Sequence, residues 1–456
     1  MKGYRISRRA FISRSAGAGI TLVAEPYLLE VPELAASPRP TAASDTVRFG
    51  MIGIGMEGSG VLDTSIGLPG VECVAACDLY DGRHTLANEI ISGATGKTVP
   101  TTRRYQDLLG NKEIDCVLVA VPDHWHKRII VDACKAGKDV YCEKPMTHKV
   151  EEGFEIIAAA RNANRIVQIG SQRQSSLCFA KAKELVDQGA IGDVYLAEGI
   201  LGRNDPCGAW VYPPPPDLSP QNFDWDTWLG DAPKRPFDPI RFARWRAYED
   251  YGEGLPGDLY VHTLTGFHYV LGVDAPPGRA QSTGGLYQWK DGRDFPDQLM
   301  TLYDYPKFRA VVLMSLNTEE EEVTRFLGTR GLIEIYGDGD HMKIAFQDGK
   351  DHDPCGYTDS FPGAMRAAYA KEWHMKNDPA PAAAKLVDAQ TYHYPPGYNE
   401  FRHHLWNFFN SVRTRQPSVE DAVMGNNASL GCHMANYSYF HRSAAIWDAR
   451  SGKIMG

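Results

Sequence analysis

Apolar residues recur along this chain in two rhythms. Between residues 47 and 170, short unbroken apolar runs alternate with stretches whose apolar positions fall three or four residues apart. The runs cover 47–53, 72–77, 115–121, 139–142 and 165–170. The third, Asp115-Cys116-Val117-Leu118-Val119-Ala120-Val121, is nearly continuous, as expected of a parallel strand covered on both faces. Helical spacing fills the gaps at 59–66, 83–92, 125–136 and 150–163, with Gly137 stopping the third. Strand and helix alternating at this length predict a doubly wound parallel sheet of the Rossmann type over residues 46–170.

The rhythm then changes. A helix is expected at 179–188, closed by Gly189, and a strand at 193–201. Residues 202–256 show no period and carry Pro213-Pro214-Pro215-Pro216 with Trp210, Trp225, Trp228 and Trp245. Irregular stretches of this length are uncommon unless functional. A helix follows at 260–271. From 281 to 346 the alternation is that of antiparallel strands, with turns at Asp291-Gly292 and Gly337-Asp338-Gly339. Residues 350–395 are polar and proline-rich and read as loop, and helices are expected at 400–413 and 418–443. Residues 171–456 thus form a second, α/β domain rich in antiparallel strands.

With 456 residues the chain accommodates both domains, and 43% hydrophobic with 23% charged residues is ordinary for a globular protein. The net charge is −9. Six basic and four acidic side chains lie in residues 1–45, leaving −11 for the rest, so no electrostatic footprint exists for nucleic acid or an anionic membrane. The N-terminus is basic (Lys2, Arg5, Arg8, Arg9) and leads into a modest apolar stretch at 16–29 that Glu25 and Pro26 interrupt. Ser7-Arg8-Arg9-Ala10-Phe11-Ile12 reads as a twin-arginine export signal, and 35–44 as a cleavage region and linker. The apolar stretch is too short and polar to span a bilayer, and no cysteine in the first 72 residues could carry a lipid. A periplasmic or otherwise exported protein without a stable membrane anchor is expected, with the twin-arginine translocase as its partner during export. Nine cysteines, five of them (Cys73, Cys77, Cys116, Cys134, Cys142) in expected core elements, argue against a disulfide framework. No zinc-type Cys/His spacing occurs, so no metal is expected.

Candidate chemistry begins at Gly53-Ile54-Gly55-Met56-Glu57-Gly58, between an expected strand and helix. Gly53 permits the turn, Gly55 and Met56 bring backbone against a pyrophosphate, and Gly58 allows close helix–strand packing. Asp78 follows 20 residues after Gly58, at the end of the second strand. An acid there accepts from the adenosine ribose diol and repels a 2′-phosphate, which selects NAD over NADP; Arg83 nearby pulls the other way. Pro122-Asp123-His124-Trp125-His126 and Glu143-Lys144-Pro145 stand at the carboxyl ends of the next two strands, where ligands bind in open α/β sheets. Pro122, His126, Glu143 and Lys144 are accordingly candidate cofactor contacts. An exported NAD protein must carry its cofactor out and recycle it in place.

Taken together with Gly170-Ser171-Gln172-Arg173, Ala190-Ile191-Gly192 and Gly257-Asp258-x-x-x-His262, these motifs match a known pattern. From about residue 47 to the C-terminus the chain resembles the glucose–fructose oxidoreductase/inositol dehydrogenase (Gfo/Idh/MocA) family. The resemblance implies a Rossmann domain followed by an α/β domain whose large, mostly antiparallel open sheet turns one face toward the nicotinamide. It also implies a homo-oligomer, dimer or tetramer, and a reactive cluster of Lys144, Asp258 and His262. The chemistry agrees. Oxidising an alcohol needs a base for the hydroxyl proton while hydride leaves for the nicotinamide. A partly desolvated lysine beside that positive ring should have a lowered pKa. Asp258 and His262, spaced i,i+4, are expected to share a face, with the aspartate orienting or charge-stabilising the imidazole. Two positions depart from many relatives: Gly254-Leu255-Pro256-Gly257 precedes the aspartate, and Thr265 stands where an acid is common. Arg173, Arg244, Trp245 and Tyr248 are candidates for a sugar pocket, since aromatic faces stack on pyranose rings and arginines bind hydroxyls or a carboxylate. His403-His404 and Asp351-His352-Asp353 lack metal-ligand spacing. Three functions remain open at this point: an exported NAD-dependent sugar oxidoreductase, a redox-neutral NAD-dependent glycosidase with Glu253 or Asp250 as leaving-group acid, and a non-catalytic sugar binder.

Overall fold

The computed structural model describes residues 27–29, 46–337, 339–347, 354–377 and 390–456. Ser7-Arg8-Arg9-Ala10-Phe11-Ile12, read above as an export signal, and Asp351-His352-Asp353 lie outside the described residues.

Six parallel strands form the first sheet: β1 (Val47–Ile52), β2 (Val71–Cys77), β3 (Thr101–Thr102), β4 (Cys116–Val119), β5 (Asp139–Glu143) and β6 (Val167–Gly170). Their order is 3-2-1-4-5-6, so the topology reverses between β1 and β4 and opens a crevice at their carboxyl ends. Every residue of β4 and β5 is buried, which is why these strands read as unbroken apolar runs. The helices between them, Met56–Ile66, Asp81–Thr95, His126–Lys135 and Glu152–Ala163, fall where the spacing placed them. A short helix, Tyr105–Gly110, was not legible.

The second sheet has eleven strands. Val194–Gly202 lies inside it, antiparallel to Glu320–Gly328 but parallel to Arg309–Ser315. That pairing and the one between Tyr27–Leu28 and Gln390–His393 are its parallel ones among the described residues. Alternate side chains of Arg309–Ser315 are buried, so one face of the sheet is packed. Helices Leu177–Asp187, Val261–Leu271 and Ala422–His441 supply the packing, with Phe179, Leu264, Phe267 and Met434 in the common core. Two short strands, Ala445–Asp448 and Lys453–Met455, extend one edge. The expected loop at 350–395 contains a helix, Gly363–Asn377, instead. None of its described side chains is buried, so it leaves no apolar stripe in the sequence to read.

Two features tie the domains together. The aperiodic stretch 202–256 folds as a strap around an aromatic cluster in which Trp225 stacks on Trp228 at 4.9 Å and Phe223 meets Phe242 at 4.6 Å. The strap docks on the first domain through Asp81 N to the Asn222 carbonyl (2.9 Å), Asp224 N to the Leu79 carbonyl (3.1 Å) and Trp125 Nε1 to the Trp228 carbonyl (2.9 Å). Helix Glu400–Thr414 returns to the Rossmann sheet and buries Leu405, Phe408 and Phe409 among Phe49, Met51 and Tyr141. A linear division at residue 170 therefore does not describe how the cores are shared.

Candidate active site

The crevice begins at the glycine turn. Gly53 has φ +87°, and a Cβ there would sit 2.3 Å from the Ala120 carbonyl oxygen. A Cβ on Gly58 would lie 2.0 Å from the Gly53 carbonyl oxygen, so helix Met56–Ile66 can meet β1 only through a glycine. Gly55 faces open space as far as the Arg83 guanidinium, 3.5 Å from where its Cβ would be. Exposed backbone N–H groups at this helix start suit a pyrophosphate. Asp78 is buried at the end of β2, accepting from Ile54 N (2.8 Å) and Tyr80 N (3.0 Å), with Arg83 3.4 Å away. Two backbone bonds fix the carboxylate and leave lone pairs for a ribose diol. From here a cleft of about 1130 Å³ runs under the strap to Lys144 and His262. The cleft is large enough for a dinucleotide and a small second ligand. Glycine cradle, acid and volume together fit NAD.

At the far end, Lys144 follows β5 in a cis peptide bond to Pro145. Its Nζ donates to the Asp258 carbonyl (2.7 Å) and to Asp258 Oδ1 (2.9 Å). Arg246 Nε donates to the same Oδ1 (3.1 Å), and Trp210 Nε1 to Oδ2 (2.8 Å). Burial alone would raise the Asp258 carboxyl, but Lys144 and Arg246 outweigh it and hold the group well below the usual carboxylate range. Asp258 lies on the widened turn Pro256–Tyr260 that opens helix Val261–Leu271, and His262 sits one turn further on. The i,i+4 spacing does bring both into the cleft. The aspartate's oxygens accept from Lys144, Arg246 and Trp210. His262 is aligned through Nδ1 by the Ser171 carbonyl at 3.0 Å. Beneath this cluster burial pushes the Glu143 carboxyl up to about 8 and raises Asp123 well above its ordinary value, so both are held as neutral acids.

Several candidates lie elsewhere. His126 is fully buried, wedged between the carbonyls of Pro145 (2.7 Å) and Val121 (2.9 Å). It braces the two strand-end loops and does not line the cleft. Arg173 is buried in a separate cluster, paired with Glu400 (3.0 Å) and Glu322 (2.8 Å). Arg244 Nε donates to the Tyr212 carbonyl (3.2 Å), and Tyr248 is buried against the Arg241 guanidinium (4.2 Å). Of the four pocket candidates, Trp245 alone lines the cleft. Asp250 pairs with Arg235 (2.6 Å), and Glu253 is buried against His433, in a second cleft. Pro122, Met56 and Glu143 do line the main cleft, as do the unforeseen Gln172, Arg203, Tyr212 and Arg246. Arg246 follows Trp245 directly and stacks on its ring at 4.3 Å, so the tryptophan was a signal for it.

A family model described as an oxidoreductase family NAD-binding Rossmann fold matches residues 47–171, and its companion, the oxidoreductase family C-terminal alpha/beta domain, matches 212–314. Together they span half of the chain. Inositol 2-dehydrogenase 3 of Saccharopolyspora erythraea is 34% identical over 157 residues, 34% of this chain and 45% of that protein. A glycosyl hydrolase family 109 protein of Shewanella baltica is 26% identical over 213 residues, 43% of this chain and 46% of that one. The match thus spans about half the length of these curated relatives. Among solved structures, a levoglucosan dehydrogenase in complex with NADH and levoglucosan superposes with a TM-score of 0.63 over 88% of this chain and 98% of that one, at 17% identity. An aldose–aldose oxidoreductase from Caulobacter crescentus gives 0.63 over 88% and 99%, at 15% identity. At these identities the likeness is one of fold.

Proposed function

Because this chain belongs to the Gfo/Idh/MocA oxidoreductase family, with an NAD-binding Rossmann domain and a C-terminal α/β domain, we propose that it is an exported enzyme that transfers hydride between a ring carbon of a sugar and tightly held NAD. The observation that carries this reading is the Lys144–Asp258–His262 grouping at one end of a cleft whose other end is the glycine turn and Asp78. Export rests on Ser7-Arg8-Arg9-Ala10-Phe11-Ile12.

Bound NAD would lie along Gly53, Gly55, Met56 and Gly58, with Asp78 on its ribose and Pro122, Glu143 and Lys144 toward its nicotinamide; it supplies the hydride acceptor. The remaining work falls to the protein. Asp258 stays ionised and holds Lys144 through its hydrogen bond; the neutral Lys144 amine takes the hydroxyl proton as the C–H bond breaks, and Asp258 stabilises the ammonium so formed. His262, held by the Ser171 carbonyl, presents its other ring nitrogen to the same hydroxyl as second acid–base. Trp245 offers a ring face for the sugar, and the strap excludes water from above. Redox-neutral glycoside cleavage, in which transient oxidation acidifies the neighbouring C–H, is the second reading, favoured by the family 109 relatives. In that case an acid for the leaving group must come from somewhere other than Asp250 or Glu253, which the fold commits to Arg235 and His433.

The test is to purify the protein without added cofactor, denature one half and identify what it releases, and incubate the other half with free sugars and glycosides. Stoichiometric NAD, followed by absorbance at 340 nm with a free sugar, supports the oxidoreductase. Liberated aglycone without accumulated NADH supports the glycosidase. Protein with no NAD and no turnover of either class refutes both.

A further inference from the structure

The reacting end of the cleft carries more positive charge than it neutralises. Lys144, Arg203 and Arg246 all line it, and all three act on the Asp258 carboxylate. Asp258 is the acid that these three cations share, and Glu57, which also lines the cleft, acts on Glu143 on the Rossmann side. Glu143 and Asp123 are held neutral by burial, and Asp224 sits on the strap beside Arg103, at the adenosine end. Arg203 follows strand Val194–Gly202, fixed by its own N–H to the Ser315 carbonyl (2.8 Å). Its guanidinium makes no hydrogen bond or ion pair with any described residue, although it is half-buried. Arg246 commits Nε to Asp258 and its flat face to Trp245, which leaves its terminal nitrogens for the cleft. Two guanidinium forks beside a ring-stacking tryptophan, with one counter-charge already shared by a lysine, make an incomplete ion cluster. Desolvated cations of this kind require an anionic partner, and a planar fork matches a carboxylate in bidentate fashion.

We propose that the substrate is an acidic sugar, a hexuronate or aldonate unit, whose carboxylate is held by Arg203 and Arg246 while its reacting hydroxyl lies at Lys144 and His262. This rests on the sugar-oxidoreductase reading and narrows it to one substrate class. Arg203 then sets specificity and takes no part in proton or hydride transfer.

Binding and turnover are measured separately on the full chain with NAD bound. Calorimetry compares galactose with galacturonate, glucose with glucuronate and gluconate, and glucose 6-phosphate, at low and high salt. The acids should bind at least about tenfold more tightly than the matching neutral sugars, with the advantage shrinking as salt rises. Arg203→Gln should erase that advantage, and Arg203→Lys, which keeps charge but loses the fork, should retain part of it. Equal affinity for acid and neutral sugars, or an acid preference that survives Arg203→Gln, overturns the proposal. Preference for the phosphate ester over both carboxylates overturns the carboxylate assignment. NADH formation at 340 nm reports on the underlying reading alone. Neutral sugars that turn over without acid preference sink the inference and spare the oxidoreductase. Acid-selective binding without any NADH supports the inference and sinks hydride transfer.

Discussion

Replacing Asp258 with Asn exchanges one carboxylate oxygen for an amide nitrogen and tests the centre of the site. Asp258 accepts from Lys144, Arg246 and Trp210 at 2.8 to 3.1 Å, and the Lys144 and Asp258 side chains are only 14% and 13% exposed. Solvent screening is therefore weak. Removing one partner of a buried charge cluster leaves the others uncompensated, at a cost of about 3–5 kcal/mol. The pH dependence has a definite sign. The carboxyl is held below its ordinary value in the folded state. Its contribution is therefore complete above that ordinary value and lost as pH falls through the folded one. The stability gap between wild type and D258N should be flat from neutrality down to about pH 5 and close only in stronger acid. Urea unfolding of the cofactor-free protein at a series of pH values measures the gap, and single-turnover NADH formation measures chemistry, expected to fall by about a hundredfold or more. A gap under about 1 kcal/mol at pH 7, or one that widens as pH falls, would refute the charge assignment.

Gly58→Ala places a methyl 2.0 Å from the Gly53 carbonyl, so the turn must open; NAD retention through gel filtration should be lost, with about 1–3 kcal/mol of destabilisation in urea. Glu143→Gln acts in the opposite pH sense to D258N. A carboxyl raised to about 8 contributes below its ordinary 4.5 and loses that contribution as pH climbs through 8, so the variant should gain thermal stability over wild type at pH 9 and little at pH 5. Phe408→Ala empties a fully buried site between helix Glu400–Thr414 and the Rossmann sheet, and should cost about 3–5 kcal/mol while leaving one unfolding transition by both tryptophan fluorescence and circular dichroism.

Legibility followed burial. Strands β1, β2, β4 and β5 could be placed from sequence because fully or half-covered strands leave unbroken or alternating apolar runs. The glycine turn and Asp78 were legible because their reasons are steric and local. Helix Gly363–Asn377 buries nothing, so its residues carry no period. The misassignments share one cause. His126, Arg173 and Tyr248 belong to motifs or residue types that bind ligands, but each is sealed inside the protein by a partner outside its own motif: Pro145, Glu400 and Arg241. Arg203 and Arg246 lie in or beside the aperiodic strap, where only the folded chain shows which side chains turn inward. Motif spacing located the reacting residues; which charges stay uncompensated around them is a tertiary property.

The return of helix Glu400–Thr414 to the first sheet has a consequence for the timing of biosynthesis. Domains commonly fold in order as the ribosome releases them. Here the Rossmann sheet, the first part to emerge, lacks Leu405, Phe408 and Phe409 until the chain has been made through Thr414. The dinucleotide cleft also waits for the strap at 202–256 to form its roof. Maturation of the cofactor site is thus a post-synthetic event of the whole polypeptide, and a nascent chain arrested before residue 400 should neither hold NAD nor resist protease.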